Sequence, residues 1–351
     1  MTLLVNGRFL TQQATGVHRF AYEICRAFTE QGIDFTILVP NALLCQNAKI
    51  FKLRRVGHTQ SHLWEQVELP WYVHRHYRGA VLLNLTGLSP IVYSNSITTI
   101  HDLSFLENPH WFSFAYRCWY RLMTPISAKR AHHIFTVSEF SKQEIERRLH
   151  IKSEKITVVY NAVSEKIEPQ TTNNHTGEKY LLAVSSIEPR KNLLRLLQAF
   201  KKVEDSQLRL YVVGAKHKVF AEVNTKQIDN DRVVFTGYLT PEQLYAYYAN
   251  ACVFAYPSLY EGFGIPVLEA MHFGCPVLAS DIPPLHEVAN DSALYCNPYD
   301  VDDIAEKLNR LMSDETLRQQ LSAKGKARSA LFSWQKSAHL MYQVISRINK
   351  K

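Results

Sequence analysis

Two glutamates flank a glycine-containing turn in residues 257–271, and their spacing could support chemistry. Glu261 precedes Gly262 and Gly264, which allow a sharp turn and the close approach of a ligand to the backbone. Pro266 suits the first turn of a helix, where its missing N–H costs nothing. Because the free N–H groups at a helix start attract anions, the segment predicts a phosphate site. The backbone expected to line this site belongs to Phe263, Gly264 and Ile265.

The second acid, Glu269, lies eight positions after Glu261, one turn into the predicted helix. A carboxylate beside a phosphate site accepts hydrogen bonds from hydroxyls, such as those of a ribose or another sugar. We interpret both acids in this way; for Glu269 alone, a favourable acid near a helix start is the alternative. Paired carboxylates also serve glycoside hydrolases, but hydrolysis has no use for an anion site between them, so we discount that interpretation.

A basic pair, Arg190 and Lys191, follows a predicted strand and precedes a predicted helix. Two cations at the positive end of a helix are unfavourable unless an anion is nearby, which favours a phosphate ligand over a solvated helix start. Lys191 could neutralise a leaving diphosphate. His101 also follows a predicted strand, a position where a lone histidine is more often structural than catalytic, and Asp102 could orient it or cap a turn.

Apolar runs alternate with amphipathic helix patterns along the chain, which predicts an α/β fold of doubly wound parallel sheets. Such sheets bind ligands at the carboxyl ends of their strands. The predicted helices include 193–203, 241–250 with a capping box at Thr240, and one that begins with a capping box at Ser141. The predicted strands cover 3–5, 35–39, 81–85, 97–100, 134–137, 156–160, 180–185, 208–213, 233–236, 252–256, 276–280 and 293–296.

The alternation breaks in the polar residues 165–177, which we interpret as an interdomain linker. The sequence therefore predicts two Rossmann-like domains, residues 1–162 and 163–333, followed by a helix over 334–351. Two such domains in tandem would face a cleft in which one ligand from each domain could meet the other.

The composition excludes several classes of protein. With 46% hydrophobic and 21% charged residues in 351, the chain is not a disordered protein. It has no apolar run long enough for a spanning helix, and we expect no signal peptide. The six cysteines are scattered without a C-x-x-C pair, which excludes a disulfide framework or a cysteine zinc site and fits a reducing cytosol.

The charge is concentrated in the first half: residues 1–162 hold 18 Lys and Arg against 11 Asp and Glu, whereas residues 163–351 hold 22 against 21. A basic half predicts an anionic partner, such as phosphate, an acidic membrane surface or a nucleic acid. Two segments mix cations with aromatic side chains, which suits a membrane interface or single-stranded nucleic acid. They are residues 111–121 and residues 49–55 with the following Trp64, Trp71, Tyr72, Arg75, Tyr77 and Arg78. For 111–121, a core helix with snorkelling arginines is the alternative.

Five segments together resemble the retaining glycosyltransferases of family four, which have the GT-B fold of two Rossmann-like domains facing a cleft. The resemblance covers nearly the whole chain. It implies that the N-terminal domain binds the acceptor, that the C-terminal domain binds the nucleotide sugar, and that the last helix packs back on the N-terminal domain. The segments are Glu261-x7-Glu269, Ser185-Ser-Ile-Glu-Pro-Arg-Lys-Asn192, Phe235-Thr-Gly-Tyr-Leu239, Thr99-Ile-His-Asp102 and Thr15-Gly-Val-His-Arg19.

The resemblance also implies roles for individual residues. Glu261 would accept hydrogen bonds from the transferred sugar, His101 would bind that sugar or its phosphate, and Lys191 would neutralise the diphosphate. Glu269 would hold the ribose. Further donor contacts are implied for Gly16, Arg190, Gly237, Tyr238 and the backbone of Phe263, Gly264 and Ile265. The chain departs from the family at Ser186, where an arginine is usual and Arg190 would supply the charge, and at Thr15, where a glycine is usual.

The implied function is a retaining hexosyltransferase that needs no metal or other cofactor. It would move mannose from GDP-mannose to a sugar hydroxyl of a lipid-linked oligosaccharide in O-antigen or capsule synthesis; UDP-hexose and dTDP-rhamnose are alternative donors. We expect a cytoplasmic protein in peripheral contact with the inner face of the membrane. The rivals are an epimerase or a phosphorylase on the same fold, and a basic nucleic-acid-binding protein, against which the acid-flanked anion site argues.

Overall fold

The computed structural model describes residues 2–12, 15–42, 45–164, 178–185, 188–214 and 231–349. The chain divides into two compact units, and the last helix belongs with the first of them. Unit 1 comprises Met1–Asn161 and Ser333–Lys351, and unit 2 comprises Ala162–Phe332. The segment 165–177, predicted to be a linker, and Ser186 lie outside the described residues.

The described part of unit 1 contains a parallel sheet of seven strands in the order β3-β2-β1-β4-β5-β6-β7. The strands are β1 (Leu3–Asn6), β2 (Thr36–Val39), β3 (Leu53–Arg55), β4 (Val81–Asn84), β5 (Ser96–Thr99), β6 (His133–Thr136) and β7 (Ile156–Val158). The α-helices between them are α1 (Gly16–Glu30), α2 (Ser61–Leu63), α3 (Leu69–His76), α4 (Ser104–Glu107), α5 (Phe114–Arg130) and α6 (Glu139–Leu149).

The described part of unit 2 repeats this plan with six parallel strands in the order β10-β9-β8-β11-β12-β13. The strands are β8 (Tyr180–Val184), β9 (Arg209–Val213), β10 (Val233–Gly237), β11 (Val253–Tyr256), β12 (Val277–Ser280) and β13 (Ala293–Cys296). The helices are α7 (Leu193–Phe200), α8 (Pro241–Asn250), α9 (Ile265–His272), α10 (Pro283–Ala289), α11 (Val301–Ser313) and α12 (Glu315–Ser329).

The strand orders reverse direction at one place in each sheet, between β1 and β4 in unit 1 and between β8 and β11 in unit 2. Connections from these two neighbouring strands leave in opposite directions, so a crevice opens at their carboxyl ends. The predicted fold class of two parallel-sheet, Rossmann-like domains is therefore confirmed.

The C-terminal helix α13 (Trp334–Ile348) packs on α1 in unit 1. The Trp334 ring meets the Phe20 ring edge to face at 5.7 Å, and Met341 and Ile345 are fully buried. Ser337 Oγ also donates a hydrogen bond to the Tyr160 carbonyl at 2.7 Å. This helix therefore completes the apolar core of unit 1, although it follows all of unit 2 in the sequence.

One predicted helix start is wrong. Helix α6 begins at Glu139, because Ser138 follows β6 directly and its side chain accepts a hydrogen bond from the Ser141 N–H at 2.9 Å. Ser141 does not act as the cap; its hydroxyl donates to the His101 carbonyl at 3.0 Å. The capping box at Thr240 is confirmed. Among the described residues, none of the helices combines the length and apolarity needed to cross a bilayer.

Candidate active site

The switch point of unit 2 brings together two segments that are far apart in the sequence. A 3₁₀ turn, Pro189–Lys191, follows β8, and the segment 257–264 follows β11. The Leu259 N–H donates to the Arg190 carbonyl at 2.7 Å, and Ser258 Oγ donates to the same oxygen at 3.0 Å. These bonds fix the predicted basic pair beside the predicted acid.

Lys191 and Glu261 form a buried ion pair at the centre of this region. Lys191 Nζ lies 2.7 Å from Glu261 Oε1 and 2.6 Å from the Tyr256 hydroxyl. Glu261 Oε1 also accepts hydrogen bonds from Tyr256 at 2.8 Å and from Ser258 at 2.6 Å. Arg190 Nη1 approaches Glu261 Oε2 at 3.6 Å. We call these five residues the Lys191 cluster.

The cluster holds its charges in a nearly solvent-free environment, since Glu261 is 6% exposed. Burial alone would raise the pKa of Glu261, but the charges of Lys191 and Arg190, with hydrogen bonds from Lys191 and Ser258, lower it to about 2. Burial lowers the pKa of Lys191, and the Glu261 charge opposes that change. Glu261 is therefore an ionised, very weak base at neutral pH.

Asn192 locks the turn that presents Lys191. Its backbone is left-handed, with φ of 58°, and asparagine tolerates this conformation better than most residues. Its buried side-chain amide donates to the carbonyls of Pro257 at 2.9 Å and Pro298 at 2.6 Å. Hydrogen bonds from both backbone and side-chain groups thus join the turn after β8 to the segment after β11.

Helix α9 begins beside the cluster, at a glycine that no other residue could replace without strain. Gly264 has φ of +105°, and a Cβ at this position would lie 2.5 Å from Leu285 Cδ2. Phe263 is buried with its ring edge-on to Phe332 at 5.7 Å, whereas Ile265 is half-buried. Pro266 has no N–H, and the Val267 and Leu268 N–H groups both donate to the Gly264 carbonyl, at 3.0 and 3.2 Å. The positive end of the helix dipole still favours an anion here.

The second predicted acid, Glu269, is 3% exposed on α9. Its Oε2 accepts a hydrogen bond from the Tyr248 hydroxyl of α8 at 3.2 Å. Burial and the charge of Glu269 raise the pKa of Tyr248 well above its usual value, so this hydroxyl remains a donor. The carboxylate is thus built into the packing between the two helices.

The predicted base-binding residues, Gly237 and Tyr238, lie at the carboxyl end of the edge strand β10, two strands away from β8. The Gly237 carbonyl accepts a hydrogen bond from the Gly214 N–H at 2.7 Å, and the Tyr238 side chain is 70% exposed. They share the carboxyl edge of the sheet with Lys191 but are not part of its cluster.

Two predicted residues, His101 and Gly16, lie in unit 1. His101 follows β5, and its Nε2 lies 2.9 Å from the Leu85 carbonyl, which makes Nε2 the protonated nitrogen. Burial lowers its pKa, and nearby His18 lowers it further. Gly16 is the first residue of α1, and Phe20 on that helix meets the His101 ring at 4.9 Å. The structure therefore places the start of α1 beside the end of β5.

Asp102 takes the second of its two predicted roles. Its Oδ1 accepts hydrogen bonds from the Ser104 N–H at 2.9 Å and the Ser104 hydroxyl at 2.6 Å, which caps the start of α4.

Three residues of this site were not predicted from the sequence: Tyr256, Ser258 and Asn192. Tyr256 ends a buried apolar strand and gives no sign of a functional hydroxyl, although a polar group at a carboxyl strand end was a usable signal. No group of three or more His, Cys, Asp or Glu side chains within the described ranges is arranged to hold a metal ion.

Two family models match the chain. The model for glycosyl transferases group 1 matches residues 164–328, and the model for glycosyltransferase family 4 matches residues 14–166. The first match contains the whole Lys191 cluster, and the second contains Gly16 and His101.

Several curated proteins are similar to the chain. The O-antigen chain mannosyltransferase RfbU of Salmonella typhimurium is 29% identical over 85% of this chain and 87% of its own length. The O-antigen chain mannosyltransferase B of Escherichia coli is 31% identical over 68% of this chain and 67% of its own length. The serotype-specific mannosyltransferase WbdA of Escherichia coli is also 31% identical, but the match spans only 29% of that longer protein.

Solved structures share the fold at lower identity. Sucrose-phosphate synthase from Thermosynechococcus elongatus has a TM-score of 0.79 at 21% identity, over 99% of this chain and 98% of that one. WaaG, a glycosyltransferase involved in lipopolysaccharide biosynthesis, has a TM-score of 0.77 at 16% identity, over 98% of this chain and 99% of that one.

Proposed function

The chain belongs to the family-four glycosyltransferases, which have the GT-B fold, and from this membership we propose that it transfers mannose from GDP-mannose to a sugar hydroxyl. The proposed acceptor is a lipid-linked oligosaccharide of O-antigen or capsule synthesis. The names of the relatives RfbU and mannosyltransferase B support both the sugar and the process.

The observation that carries the proposal is the Lys191 cluster beside the start of α9. When the sugar is transferred, the nucleoside diphosphate is the leaving group. The negative charge that develops on it is what the active site must stabilise most. Lys191 and Arg190 lie at the carboxyl ends of β8 and β11, next to a helix start that itself favours anions, and they pair with Glu261 and Glu188. Both cations would exchange these carboxylate partners for phosphate oxygens when the donor binds. Their charge would stabilise the leaving group.

Glu261 has a different proposed role from that of a general base. A side chain is an effective base when its pKa lies near the working pH, and the pKa of Glu261 is lowered to about 2. We assign Glu261 to hydrogen bonds from the hydroxyls of the transferred sugar once the diphosphate draws Lys191 away from it. The acceptor proton would go to the departing phosphate oxygen, in a retaining reaction without a metal.

His101 would meet the donor as a neutral ring. Because its Nε2 proton is directed to the Leu85 carbonyl, its Nδ1 is left with a lone pair. The lowered pKa keeps that state at neutral pH. His101 would therefore accept a hydrogen bond from a sugar hydroxyl rather than donate one to a phosphate. Gly16, Gly237, Tyr238 and Glu269 remain proposed donor contacts, with Glu269 assigned to the ribose.

We also propose that unit 1 binds an anionic membrane surface. Leu63, Val67 and Trp71 are spaced four residues apart on one helical segment and are 59%, 55% and 63% exposed. The Arg75 guanidinium lies 5.8 Å from the Trp71 ring centroid, which places a cation beside this apolar row. Apolar side chains next to cations suit a bilayer of anionic lipids, where a lipid-linked acceptor would be found.

A thermal-shift panel of GDP-mannose, UDP-glucose and dTDP-rhamnose tests the donor class. A ligand at 100 times its dissociation constant stabilises a protein by about 2.7 kcal/mol. We expect GDP-mannose to give the largest shift and Glu269→Ala to abolish it, while Glu287→Ala, an acid of α10 elsewhere in unit 2, leaves it intact. A shift with none of the three, or conversion of the donor without an acceptor, would overturn the proposal.

A further inference from the structure

A second polar cluster, in unit 1, has no part in the proposed donor site. Asn6 and Asn84 end the adjacent strands β1 and β4, and Asn6 Nδ2 donates to Asn84 Oδ1 at 3.0 Å. The cluster therefore lies at the topological switch point of its sheet, where open α/β sheets bind ligands. We call it the Arg8 cluster, and its members are Asn6, Arg8, His62, Glu65 and Asn84.

The centre of the cluster is a buried ion pair. Glu65 is 0% exposed and Arg8 is 5% exposed, and Arg8 Nε lies 3.5 Å from Glu65 Oε1. His62 Nδ1 lies 3.2 Å from Glu65 Oε2 and 2.9 Å from Arg8 Nη1. Because Glu65 offsets the charge of Arg8, the cluster suits a neutral polar ligand better than a phosphate.

Two buried N–H groups at this place make no hydrogen bond, although Arg8 Nε is also 3.5 Å from Glu65 Oε1 in the ion pair. The indole N–H of Trp119 and the Nε of Arg8 are shielded from solvent and have no hydrogen-bond partner among the described residues. The Trp119 ring lies 5.1 Å from the His62 ring, and the His62 side chain is 31% exposed, which opens the cluster to solvent. Unpaired buried donors are rare in proteins and call for an explanation such as a ligand.

The backbone at Glu65 is also unusual. Glu65 lies in a π-helical turn, Trp64–Glu68, between α2 and α3, and such turns occur frequently at functional sites. Trp64 is fully buried and its indole N–H donates to the Val56 carbonyl at 2.8 Å, which anchors the turn. The turn thus places Glu65 in contact with both Arg8 and His62.

We propose that Arg8, His62 and Trp119 form a subsite for a hexose unit of the acceptor. Hydroxyl oxygens of the sugar would accept hydrogen bonds from the Trp119 indole N–H and the Arg8 guanidinium, the His62 ring would contact the sugar, and Glu65 would position Arg8 and His62. Few directed polar groups beside an aromatic surface are typical of small-molecule sites. This subsite rests on the proposed function, since a transferase needs a sugar acceptor as well as a donor.

Saturation-transfer NMR on the full chain tests the subsite, with the methyl α-glycosides of mannose, glucose and galactose as probes. We expect at least one glycoside to bind. Trp119→Phe keeps the ring but removes the N–H, and should raise the dissociation constant about fivefold, the loss expected for one hydrogen bond. His62→Gln should weaken binding as well. Tyr299→Phe, which removes the hydroxyl of an exposed side chain in unit 2, is the matched control and should leave binding unchanged.

A glycoside could also enter the donor site, so Lys191→Met is measured with the same probes and should retain binding. Glycoside binding that is unchanged in both Trp119→Phe and His62→Gln, or lost in Lys191→Met, would overturn the subsite. So would the absence of glycoside binding in a wild-type protein that still binds a sugar nucleotide. Absence of sugar-nucleotide binding would instead count against the proposed function.

Discussion

Lys191 and Glu261 depend on each other at the level of single residues. Each is buried, and each has the other within 2.7 Å, so removal of one leaves a charge in a poorly solvated place. Replacement of both residues by neutral ones removes the free-energy cost of an unpaired buried charge. Stability and donor binding can therefore be separated experimentally at this pair.

We predict that Lys191→Met destabilises the protein by about 3 kcal/mol, because the Glu261 carboxylate loses its main counter-charge while buried. The double variant Lys191→Met, Glu261→Gln should be more stable than Lys191→Met alone, yet its donor binding should stay as weak as that of Lys191→Met. Urea unfolding measures the stability, and Lys202→Met, at an exposed ion pair, is the control with an effect within about 0.5 kcal/mol. A double variant less stable than Lys191→Met would contradict this account of the pair.

The pH dependence of stability gives an independent prediction. The folded-state pKa of Glu261 is lowered from 4.5 to about 2, so the ionised form stabilises the fold above pH 4.5. That contribution is lost as the pH falls from 4.5 towards 2. The difference in unfolding free energy between wild type and Glu261→Gln should therefore shrink over this interval. A difference that stays constant between pH 6 and pH 3 would show that Glu261 is not held ionised by the cluster.

The candidate residues were predictable from the sequence, but their pairing was not. Arg190, Lys191 and Glu261 were identified as charged groups at strand ends or helix starts, which local sequence reveals. The ion pair joins positions 70 residues apart and exists because β11 lies next to β8. Strand order is set by packing of the whole sheet, so the contact between Lys191 and Glu261 could not be derived from either segment alone.

At the scale of elements, Gly264 decides whether α9 can begin beside the cluster. We predict that Gly264→Ala destabilises the protein through two costs, a left-handed backbone and an overlap with Leu285. Gly79→Ala shares the positive φ but has nothing within 4 Å of the added Cβ, so it reports the first cost alone, about 1–2 kcal/mol. In urea unfolding, Gly264→Ala should cost about 1–3 kcal/mol more than Gly79→Ala. Equal costs would mean that the contact with Leu285 relaxes freely.

Most strands were predictable because parallel strands buried on both faces are apolar runs. Strand β3 was missed, since its residues Leu53–Arg55 include two arginines that read as a basic surface segment. It is an edge strand, where charged side chains are favoured because they discourage pairing with other chains. Residues 111–121 were predicted to form either a basic and aromatic binding surface or a core helix with snorkelling arginines. The core-helix alternative is wrong for the first turns of α5, since Phe114 is 72% and Tyr116 40% exposed.

At the scale of the whole molecule, the charge asymmetry suits a protein whose first half binds an anionic surface. The excess of Lys and Arg lies within residues 1–162, which also contain the exposed row Leu63, Val67 and Trp71. The positive charges would attract the protein to an anionic membrane surface from a distance, and the apolar row would contact the bilayer once the protein is bound.

We predict that the protein co-sediments with phosphatidylglycerol vesicles but not with phosphatidylcholine vesicles. Binding should weaken as salt rises from 0.1 M to 1 M, because the screening length falls from about 10 Å to about 3 Å. Replacement of Val67 and Trp71 by serine should reduce binding, whereas Leu331→Ser, at an exposed leucine of unit 2, should not. Equal binding to both kinds of vesicle, or no effect of the serine variants, would contradict the membrane proposal.

Every role proposed for unit 2 requires that the Lys191 cluster and the start of α9 bind the diphosphate of a sugar nucleotide. Isothermal titration calorimetry of GDP-mannose with wild type and Lys191→Met tests it most directly. Loss of one charge-assisted contact corresponds to about 1.5–3 kcal/mol, so the dissociation constant should rise at least about tenfold in the variant. GDP-mannose that binds Lys191→Met as tightly as wild type would contradict the claim.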